Sequence, residues 1–82
     1  MNIKEILLKV FPEAIIEVTS NGSNHEVILV SDKLEGVSRV QRYKDICAPL
    51  SSFFETGEIH AISIKSYTQK EWEKFSLLNG GL

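Results

Sequence analysis

The chain has 82 residues, 43% of them hydrophobic, and carries 11 acidic against 9 basic side chains for a net charge of -2. A chain this short buries only roughly 60% of its unfolded surface, which predicts one small domain and argues against a deep, enclosed active site. The acidic balance is not the electrostatic footprint of a dedicated nucleic-acid binder, which shows a basic face or stripe, and the lone Cys47 permits no internal disulfide and fits a reducing compartment.

Asn2 and Glu5 form a capping pair, and Ile3, Ile6, Leu7, Val10 and Phe11 fall at helical spacing, so a first helix is expected over residues 2–11, ended by Pro12. Lys4 and Glu5 interrupt any signal-type apolar run, and nowhere do about 18 apolar residues follow one another, so a cytoplasmic chain without a membrane span is expected. Ala14 to Thr19 reads as a strand, Ser20 to Asn24 as a turn rich in Asn, Gly and Ser, and His25 to Ser31 as a second strand, together a hairpin. Gly36 precedes a second capping pair, Ser38 with Gln41, and Val37, Val40, Cys47 and Leu50 form the candidate buried stripe of a helix over residues 38–47. Pro49 would break one long helix, so a short further helix opens with that proline in its first turn, where its missing donor costs little.

Gly57 offers a turn, after which Ile62 and Ile64 alternate with Ser63 and Lys65 in the period-two pattern of a half-buried strand, with His60 at its start. Thr68 supplies the N-cap of the last helix and Glu71 its reciprocal partner, while Tyr67 and Trp72 stand where a hydrophobic staple closes. That helix runs to about Leu77, and a loose Gly-rich tail follows from about residue 78. There are no repeats and no linker, so residues 1–82 read as a single domain. The order α-β-β-α-α-β-α describes an α+β sandwich with helices on one face of a three-stranded sheet.

Several side chains carry chemistry. A lone histidine such as His60 is, on composition alone, a surface or partly buried polar residue. Cys47 lies in an apolar helical stripe, where an unpaired thiol packs as a small hydrophobe, and it lacks the helix amino terminus that would lower its pKa. Lys33, Gly36, Ser38, Arg39, Arg42 and Lys44 form a local basic cluster beside a glycine turn that feeds a helix start, an arrangement able to present donors to phosphate. No phosphate loop, Cys-x-x-Cys pair or Gly-x-Ser-x-Gly motif is present, so an enzyme is not expected.

The stretch Ile59-His60-Ala61 through Thr68 and Trp72 resembles the BolA family, and so does Val30-Ser31-Asp32-Lys33-Leu34-Glu35-Gly36-Val37-Ser38. Arg39-Val40-Gln41-Arg42 followed by Ala48-Pro49-Leu50 is similar to the bacterial IbaG branch of that family, and Leu78-Asn79-Gly80 extends the likeness nearly to the end. The resemblance implies a fold like a class II KH domain, a mixed sheet with the first two strands antiparallel and the third joined by a crossover through residues 38–56. It also implies that His60 is a ligand of a [2Fe-2S] cluster shared with a monothiol glutaredoxin and glutathione, imidazole being a known iron ligand in Rieske-type centres. Family members supply a second ligand from the hairpin loop. The IbaG branch would place a histidine there, followed by an aromatic, whereas here Asn24 precedes His25.

His25 is thus a candidate second metal ligand displaced by one residue, and one residue turns a strand side chain to the opposite face. If pairing begins before His25, it and His60 point apart; if the loop ends later, they converge; the alternative is a solvent-facing strand residue. A non-catalytic glutaredoxin partner in iron-sulfur cluster trafficking or iron homeostasis is therefore expected, a monomer or weak homodimer by itself. The second reading is a small KH-like regulator of transcription in stress response or morphology, making weak, salt-sensitive contacts to DNA or RNA. Its loop lacks the second glycine of a KH GXXG grip and carries Glu35.

Overall fold

The computed structural model describes residues 2–78; Leu78, expected at the start of the tail, ends the last helix, and the rest of that tail, with Asn79 and Gly80, lies outside the described residues. In chain order these residues form α1 (Ile3–Val10), β1 (Ile15–Asn21), β2 (Asn24–Val30), a 3-10 turn at Asp32–Leu34, and α2 (Arg39–Cys47). A second 3-10 turn (Ala48–Leu50), α3 (Ser51–Glu55), β3 (Ala61–Tyr67) and α4 (Gln69–Leu78) follow. Asn2 caps α1 by accepting the Glu5 N–H at 3.0 Å, and Ile3 and Leu7, one turn apart, face the core. Pro49 sits in the first turn of the second 3-10 segment, as a residue with no N–H to lose should.

The hairpin is tighter than the composition of its loop suggests. β1 and β2 pair out to Asn21 opposite Asn24, leaving only Gly22 and Ser23 in the loop. Gly22 has φ +64° and is the loop's one positive-φ residue, which defines a two-residue type II′ turn. Ser20, Asn21 and Asn24, read from composition as turn residues, are therefore strand residues. β3 lies parallel to β2 on its other side, Val27 opposite Ile64, giving the order β1-β2-β3 and the expected mixed sheet.

Alternation along these ladders places Ile16, Val27, Leu29, Ile62 and Ile64 on one face. There they meet Ile3, Leu7 and Phe11 of the first helical segment, Ile46 of α2, and Leu34, Leu50 and Ile59. Val30 is buried on the opposite parity, outside that cluster. Tyr67, its neighbour across the ladder, joins Trp72 and Phe75 of α4 at ring separations of 5.3 and 5.4 Å. The staple of Tyr67 and Trp72 thus holds α4 against the end of β3.

The inward face of α2 differs from the one apolar spacing selects. Val40 is 67% exposed, and Arg42 and Ile46 point inward instead. Arg42 is tolerated inside because all three of its guanidinium nitrogens find acceptors: Nε donates to the Val37 carbonyl at 2.8 Å and one Nη to Glu71 at 2.8 Å, with longer contacts to Ser66 O and the second Glu71 oxygen. The same Glu71 carboxylate accepts the Thr68 N–H at 2.8 Å while Thr68 Oγ1 accepts the Glu71 N–H at 3.2 Å, completing the capping box of α4.

The Arg42 guanidinium, helped by the Thr68 N–H, holds the Glu71 carboxyl down at about 2 from an ordinary 4.5. A depressed carboxylate contributes stability that is present above its unfolded pKa and lost as pH falls through the folded one, here between about 4.5 and about 2. Glu71→Gln should lower stability at neutral pH by about 1 kcal/mol, a modest figure because the side chain is half-exposed. Thermal melts from pH 7 to pH 2 should show the gap between the two proteins closing in that window; a gap independent of pH would refute the assignment.

Candidate functional site

His60 owes its position to backbone on both sides. Gly57 turns the chain with φ +81°, and buried Ile59 donates its N–H to Phe53 O at 3.0 Å. The N–H of His60 then donates to the Ser23 carbonyl at 2.9 Å, and Ala61 reaches the same oxygen at 3.4 Å. The main chain is clamped while the exposed ring makes no hydrogen bond among the described residues. Its Nε2 lies 3.5 Å from where a Cβ on Gly57 would stand.

His25 stands opposite Ser20 on one side and Ile62 on the other, two residues beyond His60, so both histidines occupy the hairpin end of the sheet. Pairing begins at Asn24, before His25, which sends the His25 side chain inward with Val27 and Leu29. It is 9% exposed, so the solvent-facing alternative does not hold. Its Nδ1 lies 2.7 Å from Ser20 Oγ, and its Nε2 is buried with no partner. The His60 ring is thus exposed and carries no hydrogen bond among the described residues, whereas the His25 ring is buried and in contact with Ser20. Beside them lies a shallow cleft of about 370 Å³ whose walls include Thr19, Asn21, Asn24, His25, Ala61 and Ser63.

Among the described residues no three His, Cys, Asp or Glu side chains come together to hold a metal. Cys47 is half-buried at the end of α2, and burial pushes its thiol up, a packing role. The basic cluster is thinner in space than in sequence. Arg42 is withdrawn into the core, because its donors are spent on Val37, Ser66 and Glu71. Lys33 lies 4.0 Å from Glu13, and Ser38 is engaged in capping α2 through the Gln41 N–H. Arg39 and Lys44 stay exposed, and Gly36 turns with φ +74°. No helix of the described residues is long and apolar enough to cross a membrane.

The family model for BolA-like proteins matches residues 10–71. The chain belongs to the BolA family. Within the BolA family it is 35% identical to the acid stress protein IbaG of Escherichia coli K12, over 95% of this chain and 93% of the relative. It is 46% identical to an uncharacterized Haemophilus influenzae protein, over 79% of each chain. Among solved structures the BolA domain of SufE1 from Arabidopsis thaliana superposes with a TM-score of 0.77 at 28% identity, covering 84% of this chain and 89% of that one. These likenesses establish the BolA fold with an IbaG-like branch.

What sequence reasoning missed at this site is the Ser23 carbonyl that organises it. The signal was present, since a Gly-Ser pair between two strands is the signature of a two-residue type II′ loop. Because the His60 ring packs on little, His60→Ala should change unfolding free energy by less than about 0.5 kcal/mol. Gly57→Ala should cost about 1–2 kcal/mol through its left-handed backbone. Urea titrations of the two variants should separate them in this order.

Proposed function

We propose that this BolA-family chain is a non-catalytic, cytoplasmic partner of a monothiol glutaredoxin, co-ligating a bridging [2Fe-2S] cluster as cargo in iron-sulfur trafficking or iron homeostasis. The observation that carries the reading is His60, whose main chain is fixed by the Ser23 carbonyl while its ring stands free at the surface. The glutaredoxin and its glutathione supply thiolates, and His60 supplies an imidazole to the remaining iron. By itself the chain should bind such a cluster weakly, since thiolates are what normally hold it. The Escherichia coli relative is named an acid stress protein, and a stress-response setting is part of the proposal.

The test is reconstitution of a cluster on a monothiol glutaredoxin with and without this protein, followed by visible absorption and circular dichroism. A 1:1 complex whose spectrum differs from that of the glutaredoxin alone is expected, because imidazole in place of thiolate changes the ligand field. His60→Ala should lose that spectrum while keeping its fold. Identical spectra without co-elution would sink the reading. Tight, sequence-selective DNA or RNA binding that survives about 200 mM salt would replace it with the regulator, since the few exposed cations can release few counterions.

A further inference from the structure

Two nitrogens decide what His25 can do, and although the residue borders the shallow clefts beside Ser20 and Asn24, neither nitrogen is presented to them as a free donor. Nδ1 is engaged by Ser20 Oγ at 2.7 Å, and Nε2 is buried without a partner. Turning the ring outward would break the Ser20 contact and leave a gap in the row that His25 shares with Val27 and Leu29, both fully buried. The strand position that does face solvent at this end is Asn24, opposite Asn21 and Ala61. A neutral carboxamide there is a poor donor for iron in a sulfide cluster. Glu58, the nearest carboxylate in sequence to His60, accepts from Thr56 Oγ1 at 3.3 Å and offers only hard oxygen.

Resting on the function proposed above, we infer that His25 is a packing residue of the core, that the hairpin supplies no ligand, and that this chain offers a shared cluster one imidazole only, His60. One ligand position is then left to a small donor from outside the chain, a thiol or imidazole. A buried nitrogen without a partner is unfavourable, so an apolar ring of similar shape should be accepted at position 25.

The first arm needs no cluster. Native protein treated with diethylpyrocarbonate and read by mass spectrometry should be carbethoxylated at His60, with His25 protected until urea unfolds the chain. His25→Phe should melt at the parent temperature or up to about 6 °C above it. In the second arm, glutaredoxin complexes of His25→Phe should keep the parent dichroism. Asn24→His should alter it and slow cluster loss several-fold by adding a second imidazole on the exposed side. Free imidazole should perturb the parent spectrum and leave that of Asn24→His unchanged. Labelling of native His25 at the rate of His60, or a folded His25→Phe that loses the spectrum, would overturn the inference. If the parent protein forms no shared cluster, the proposed function falls, while labelling and melting still decide whether His25 is a packing residue.

Discussion

The backbone of a two-residue turn governs everything at the hairpin end of this molecule. Gly22 alone adopts φ +64°, so β1 and β2 close without slack and their register is fixed from Asn21 opposite Asn24 onward. The next residue of the turn, Ser23, then uses one carbonyl oxygen for two purposes: it receives the N–H of His60 at 2.9 Å and that of Ala61 at 3.4 Å, which starts β3 in parallel register. Because side chains alternate with a period of two, that register alone sends His25 inward and Asn24 outward. One extra loop residue would exchange them.

At its other end the sheet is held by charge and rings. Arg42 joins α2 to the capping box of α4, and the Tyr67–Trp72–Phe75 cluster packs that helix against the end of β3. Ser31 adds a backbone link to Tyr67 O at 2.9 Å, and Asp32 accepts the Gln69 N–H at 3.0 Å. A buried guanidinium is favourable only when its charge and donors are compensated, which is why two carbonyls and a bidentate carboxylate surround it. The side chains that could have formed a phosphate-binding surface are thus partly consumed in building the domain. His60 has no such structural employment.

Most elements were legible because their signals are local. The caps Asn2, Ser38 and Thr68 each accept the N–H three residues on, and the Ile62, Ile64 alternation marks a true strand. Two features were not. Ser20, Asn21 and Asn24 look like loop residues because polar side chains are common to turns and to the solvated parts of a sheet, and only pairing distinguishes these. Arg42 looks like a surface residue because what makes it internal, Glu71, lies 29 positions away. The ligand role proposed for His60 rests on family resemblance, whereas the inward turn of His25 depends on a register no single residue announces.

These placements bear on how firmly a partner's cargo would be held. Metal-ligating histidines ordinarily donate their second ring N–H to a carboxylate or carbonyl, which fixes the tautomer and raises ligand basicity. The His60 ring has no such partner among the described residues, and Gly57 offers it only a steric floor. In the proposed complex, orientation of the imidazole would therefore be completed by groups that arrive on docking. In that complex a donor fixed at its main chain, undecorated at its ring and unaccompanied by His25 would contribute one directed bond, and the thiolates of the partner would carry most of the hold on iron.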